Sequence, residues 1–249
     1  MMLKLEYIGF ASEVLRVQGP RRLINRVVNV ILPNSGVTGA IMRSPGDYGV
    51  FLDIGAAFGQ VTAEVSARFS KCVCFEPSKN NYRQLLNTIE RGNLGNVTTY
   101  NCALGSQGET KTFFCSEGNP YDNRFAPNKE ESFVPYEVDV VTLDDVCEDL
   151  GIRERCVIKI DVQGYELEVM RGARKLLAKD CRIISEFWPW GMHLHGTDPL
   201  EYVDFMMSLG YSFFELNGKR ASEEYVLRLC ELGKNKRHVW DDFLIKQPT

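Results

Sequence analysis

The sequence predicts a doubly wound α/β fold: a mostly parallel seven-stranded sheet with an antiparallel last strand, a β insertion and an N-terminal helical extension. Three observations predict it. From Gly49 onward, short apolar runs alternate with helical patterns, the rhythm of parallel strands joined by crossovers. The runs Val50–Ile54 and Cys156–Ile160 are nearly unbroken, as strands covered on both faces require. The first run ends in the glycine turn Asp53-Ile54-Gly55-Ala56-Ala57-Phe58-Gly59, where an open α/β sheet places its ligand.

The elements follow in order. Helices are expected over Gln60–Phe69 and Lys79–Arg91, and strands over Cys72–Phe75 and Val97–Leu104. Thr110–Cys115 and Phe133–Val141 break the rhythm as a hairpin-like insertion beside the site, whose polar joining loop holds Pro120, Tyr121 and Arg124 and is expected, with the loops 33–48 and 188–198, to shape the acceptor region. A short helix over Thr142–Leu150 and a strand over Cys156–Ile160 come next. Then follow a helix over Glu166–Leu177, a strand over Arg182–Phe187 and a helix over Leu200–Leu209. Tyr211–Leu216 and Asp242–Lys246 complete the sheet, and no helix is required between them if they pair antiparallel.

Residues 1–45 read as an N-terminal helical extension or lid, and 46–249 as the main domain. The stretch 11–32 is amphipathic and carries Arg16, Arg21, Arg22 and Arg26. It reads as a helix packed on the domain, with peripheral membrane contact as the alternative. Pro33, Gly36, Gly39, Pro45 and Gly46 mark a loop expected to cover the site.

Composition excludes several classes. With 249 residues and 44% hydrophobic content, one sizeable core is expected. A net charge of −4 argues against a polyanionic partner. No apolar run approaches a bilayer span, and the first residues lack the signature of a signal peptide, so a cytoplasmic location is expected. The eight cysteines show no Cys-x-x-Cys spacing and read as small buried residues rather than metal ligands.

The glycine turn points to a nucleoside-containing cofactor, because Glu76 follows Gly55 by 21 residues. That spacing puts a carboxylate at the tip of the second strand, where it can accept the hydroxyls of a ribose. A dinucleotide fingerprint requires three glycines, but Ala57 and Gln60 occupy the second and third positions. Asp53 would repel a pyrophosphate and favour an ammonium-bearing ligand such as S-adenosylmethionine. Capping of the turn is the structural alternative for Asp53.

With these residues in view, the chain resembles the FkbM-type methyltransferase family over roughly residues 49–190. The resemblance rests on Phe51–Gly59, Cys74-Phe75-Glu76-Pro77, Asn101–Gly105, Val140–Asp145, Ile158–Glu166 and Ile184-Ser185-Glu186, in that order. It implies a class I, Rossmann-like methyltransferase sheet and methyl transfer to a hydroxyl oxygen of a sugar, glycan or other small-molecule acceptor. The chain departs from the family pattern at Gln163, where members usually carry an acid. Two alternative functions are a nucleic-acid methyltransferase and a cofactor-binding module without turnover.

On this reading Asp53, Gly55, Ala56, Phe58 and Gly59 meet the methionine part of the cofactor. Glu76 binds the ribose, Pro77 and Ala103 border the adenine, and Asn101 lies beside it. Asp161 ends the fourth core strand and is expected to touch cofactor or acceptor and serve in catalysis. Glu166, at the start of the next helix, is expected to stabilise rather than catalyse. His193 is a candidate base, and with His195 a possible metal ligand, though no metal is expected. Trp188 and Trp190 either stack on the acceptor or pack in the core.

Overall fold

The computed structural model describes residues 36–128 and 131–248. The readings for 1–35, including the basic stretch 11–32, lie outside the described residues. The main sheet has seven strands in the order β3-β2-β1-β7-β8-β10-β9. These are β1 Val50–Ile54, β2 Lys71–Phe75, β3 Val97–Tyr100, β7 Cys156–Ile160, β8 Arg182–Phe187, β9 Ser212–Glu215 and β10 Asp241–Lys246. The pairs β3–β2, β2–β1, β1–β7 and β7–β8 are parallel, while β10 runs antiparallel between β8 and β9. This is the predicted class I methyltransferase arrangement.

Period-two alternation sends the side chains of β1 and β7 to two cores. Val50, Leu52, Ile54, Cys156, Ile158 and Ile160 join the larger cluster on one face, and Phe51 and Val157 join a smaller one on the other. Both faces are covered, so the runs are apolar throughout. All eight cysteines are free, and all but Cys115 are buried.

Helices α1 Gly36–Met42, α2 Gln60–Val65 and α3 Lys79–Gly92 precede the insertion. Ser78 caps α3 by accepting from Asn81 N, and Asn93 ends it at φ 48°, the left-handed conformation usual for a stop. Helix α1 corrects the expectation of a covering loop. Its Ala40 and Ile41 bury against Phe51 and Phe69 on the smaller core, and that apolar contact outweighs the local glycines.

The insertion is a second sheet, β4 Ala103–Leu104, β6 Phe133–Val141 and β5 Glu109–Ser116 in that spatial order. β5 and β6 form the expected antiparallel pair. The expected strand 97–104 therefore divides: its first part stays in the main sheet, and Ala103–Leu104 turns away to pair with β6.

The second half holds α4 Leu143–Asp149, α5 Glu166–Arg171, α6 Arg174–Leu177, α7 Pro189–Leu194, α8 Pro199–Ser208 and α9 Glu223–Gly233. Two expectations change. The helix 166–177 breaks at Gly172-Ala173, where the chain presses on the end of β4. The connection between β9 and β10 contains α9, capped by Ser222, so an antiparallel pairing did not preclude a helix.

Gly172 makes a stability prediction. A Cβ there would lie 2.0 Å from the carbonyl oxygen of Gly105, whereas one at Gly95 meets nothing within 4 Å. Gly172→Ala is expected to lower stability by about 2–3 kcal/mol through overpacking, with Gly95→Ala near neutral, as read from urea unfolding midpoints. Equal midpoints would contradict the close approach.

Candidate active site

The site lies at the carboxyl ends of β2, β1 and β7. After β1 the chain must turn at once, and the N–H groups of Gly55 and Ala56 both donate to Phe75 O at 3.0 Å. Gly55 has φ 74°, and a Cβ on it would come within 2.0 Å of Asp161 O. Only glycine fits both the conformation and the approach of β7. Ala57 also adopts a left-handed φ, 48°.

Glu76 closes over this turn. Its Oε2 accepts from Ala57 N and its Oε1 from Ser78 N, both at 2.8 Å. Burial pushes its carboxyl up to about 7, although the two backbone N–H groups favour the charged form. Asn101 Nδ2 donates to the carbonyls of Glu76 (2.8 Å) and Pro77 (3.2 Å), fixing the backbone beside the acid.

Asp53 and Lys159 are opposite each other in the β1–β7 register. Asp53 is fully buried, accepts from Thr62 Oγ1 at 2.6 Å, and lies with Oδ1 3.4 Å from Lys159 Nζ. No aligned hydrogen bond reaches that oxygen. Lys159 Nζ donates to Gly55 O at 2.7 Å and sits 3.8 Å from Asp161 Oδ2. Burial opposes the lysine's charge, but Asp53 and Asp161 outweigh it and raise its pKa.

Asp161 begins the turn into α5 and keeps its carboxylate about 39% exposed. Gln163 and Gly164 take φ values of 54° and 98°. Gly164 must lack a side chain, because a Cβ would reach within 2.3 Å of the Gly191 backbone in α7. The turn is stapled by Glu166, whose Oε1 accepts from the N–H of Val162 and of Gly164 at 3.2 Å. Glu166 is fully buried, and that burial raises its carboxyl to about 7.

These elements enclose a cleft lined by apolar side chains and a few polar groups, the usual character of a small-molecule site. Of the expected residues, Gly55, Glu76, Pro77, Ala103 and Asp161 line it. The others stand behind the lining. Asp53 lies beneath it on Lys159, Ala56 packs with Cys74 and Leu85, and Gly59 leaves room for Leu85. Phe58 packs on Tyr121 with ring centroids 5.0 Å apart.

His193 is not brought to the cleft. Its ring is in the last turn of α7, with Nε2 buried and unpartnered, and burial lowers its pKa. His195 packs against Tyr165 with centroids 5.2 Å apart, and burial, then Lys111 and Arg124, lowers it to about 4. Trp188 is buried and donates from Nε1 to Arg237 O at 2.7 Å. Trp190 is half-buried, with the guanidiniums of Arg124 and Arg237 over its ring, and neither tryptophan lines the cleft. Among the described residues, no group of three His, Cys, Asp or Glu is placed to hold a metal.

Sequence reasoning placed the insertion loop beside the site but assigned none of its residues to the lining. Pro120, Tyr121, Asn123 and Phe125 of the insertion loop line the cleft, with Phe113 and Tyr165 beside them. Gln60 Nε2 donates to Tyr121 Oη and Asn81 Nδ2 to Pro120 O, each at 2.8 Å. Nothing in the loop's composition assigns it a ligand. Lys159 carried a signal, since a lysine inside an apolar strand needs a buried partner.

A glycine turn between two carboxylates at the mouth of a doubly wound sheet is the arrangement of a nucleoside-binding site in the class I methyltransferase fold. Comparison with known proteins makes this specific. Residues 53–213 match the model of the methyltransferase FkbM domain, and the chain belongs to that family. Among curated proteins, none matches significantly. The crystal structure of methyltransferase FkbM from Methylobacillus flagellatus KT aligns at a TM-score of 0.51 and 20% identity, covering 80% of this chain and 44% of that one. The chain thus spans less than half the length of that protein. An O-methyltransferase from Bacillus cereus in complex with SAH aligns at 0.47 and 15% identity, covering 96% and 90% of the two chains. An rRNA methylase from Streptococcus thermophilus aligns at 0.44 and 11%, covering 85% and 94%. No described helix is long and apolar enough to cross a membrane.

The cofactor of this family is S-adenosylmethionine, and the residues present fit it. The lining holds two carboxylates, Glu76 and Asp161, and no basic side chain among the described residues. Such walls suit a cation carrying a ribose and oppose a pyrophosphate.

Glu166 gives a pH prediction. Its folded pKa is above the usual value near 4.5, so between about 4.5 and 7 the folded state binds more protons than the unfolded one. Its contribution to stability is therefore present at low pH and lost as pH rises to about 7, a change on the order of 3 kcal/mol. Glu166→Gln keeps an acceptor for both N–H groups and is expected to flatten unfolding free energy between pH 5 and 8. An unchanged slope would rule this out.

Proposed function

We propose that the chain transfers a methyl group from S-adenosylmethionine to a hydroxyl of a sugar, glycan or other small molecule. The observation that carries this reading is the pair of carboxylates flanking the Gly55 turn in one cleft, Glu76 on the β2 side and Asp161 on the β7 side. When bound, the cofactor supplies an electrophilic methyl on a sulfonium.

The chain's residues divide the remaining tasks. Glu76, clamped by two backbone N–H groups, accepts the ribose hydroxyls, while Pro77 and Ala103 border the base. Gly55 allows close approach of the methionyl part, and Ala56, Phe58 and Gly59 hold the turn in shape. Asn101 braces the Glu76 and Pro77 carbonyls. Asp53 acts through Lys159, since it lies below the lining and is already paired.

A hydroxyl acceptor needs a base. Asp161 takes this role in place of His193, because its carboxylate faces the cleft and His193 does not line it. The aromatic surfaces of Phe113, Tyr121, Phe125 and Tyr165 exclude water from the reacting groups.

Two measurements test the reading. Asp161→Asn is expected to slow transfer by roughly 10²–10⁴-fold, and His193→Ala to change it less than about threefold. The assay is transfer of labelled methyl to a panel of sugars, glycans, RNA and DNA; incorporation confined to nucleic acid would replace this reading. Separately, ribose hydroxyls favour the ionised Glu76, whose pKa is about 7 when unliganded. Affinity for S-adenosylhomocysteine is therefore expected to rise from pH 6 to 8, with proton release in calorimetry below about pH 7. Glu76→Gln should weaken binding and flatten this dependence. Proton-neutral, pH-independent binding by the native chain would exclude Glu76 as the ribose partner.

A further inference from the structure

Gln163 occupies an unusual place for an uncharged residue. Its Nε2 donates to Asp161 Oδ1 at 2.8 Å and to Glu186 Oε2 at 2.9 Å. Both oxygens can accept, so the amide nitrogen, with its two hydrogens, serves both at once, and Glu186 also lies within hydrogen-bonding reach of Asp161. The charged groups around this point are Lys159 on β7, Asp53 on β1, Glu166 on α5 and Asp242 on β10. One cation thus stands among several acids.

We propose that Gln163 is a positioning residue whose amide spans Asp161 and Glu186 and holds the Asp161 carboxylate toward the cleft without adding charge. This rests on the donor-site reading above. Without the amide, Asp161 is free to turn onto Lys159, 3.8 Å away. An acid at 163 would need a proton to bridge either neighbour, and would then offer one hydrogen instead of two. Burial, with Asp161 and Asp242 nearby, already pushes the Glu186 carboxyl well above the ordinary range. The cluster therefore has little room for another charge. The left-handed φ of 54° at Gln163 presents the amide to both acids from a two-residue hop, and the close contact of Gly164 with α7 fixes that hop.

The test compares affinities of the full chain for S-adenosylmethionine and S-adenosylhomocysteine by calorimetry. A carboxylate held at the cleft favours the sulfonium cation over the neutral thioether, a preference that general loss of structure would not change selectively. Gln163→Asn suits the positive φ and keeps an amide, but is one methylene short of spanning both acids. It is expected to cut the preference for the methionine form about five- to tenfold, whatever the common change in the two affinities, since Gln163 also lines the cleft. Gln163→Met keeps the length, lacks the N–H groups, and should behave alike; it decides the matter if Gln163→Asn lowers the melting temperature. Asp161→Asn separates the two levels of inference. If it loses the preference while both Gln163 variants keep it, Gln163 does not position Asp161. If Asp161→Asn itself keeps the preference, Asp161 does not face the sulfonium and the donor-site reading fails first.

Discussion

The site depends on one buried ammonium. Lys159 is 8% exposed, and an unpaired charge so placed would cost several kcal/mol. It is held by the carbonyl of Gly55, by Asp53 and by Asp161. These partners come from the first strand, the glycine turn and the end of the fourth core strand, so one cation fixes all three. The parallel register makes this possible by setting Asp53 directly opposite Lys159 on the same face. Removing either partner would leave an uncompensated charge rather than simply one contact fewer. The position of the glycine turn is therefore set as much by a neighbouring strand as by its own glycines.

The roof has a comparable anchor. Arg124 is fully buried within the insertion loop and pairs with Asp122 and Glu131. Arg237, far along the chain, pairs with the same two acids. Both guanidiniums lie over Trp190, and Arg124 also over Trp188 and Phe133. Burial lowers the Arg124 pKa, and Asp122 offsets part of that. Two cations against two anions keep the cluster neutral, which lets a polar loop stay packed over an apolar cleft. The loop thereby belongs to the site and not merely to the connection between two strands.

The floor of this site was legible in the sequence residue by residue, whereas of the roof only the segment that supplies it was. Strands buried on both faces announce themselves by unbroken apolar runs, and the glycine turn and Glu76 are fixed by where those strands end. Gly55, Glu76, Pro77, Ala103 and Asp161 accordingly line one cleft. His193 was misplaced because Pro189 starts a helix in a segment that reads as loop, and helical rotation takes the ring away from the cleft. The missed helix Glu223–Gly233 had its cap, Ser222, and two first-turn acids in plain view; the assumption that antiparallel strands need no helix between them hid it. The places of Pro120, Tyr121, Asn123 and Phe125 within that loop were not legible, because they depend on Arg124 and its local acids, Asp122 and Glu131, meeting Trp188, Trp190 and Arg237 from far along the chain.

This division changes what Asp53 means. Read from sequence, its charge is the feature that selects an ammonium-bearing ligand. In the fold that charge is largely answered by Lys159, and Asp53 does not reach the cleft lining. The negative walls come instead from Glu76 and Asp161. Asp53 serves them indirectly: it brings Lys159 to the turn, and Lys159 ties Gly55 to the strand that ends in Asp161. A motif acid can thus correlate with a cationic ligand without touching it, because the same charge balance that buries the lysine leaves the next carboxylate along the strand, Asp161, to face the cleft. The two carboxylates of the cleft are accordingly set by the sheet's register, whereas its roof is built largely by the insertion loop.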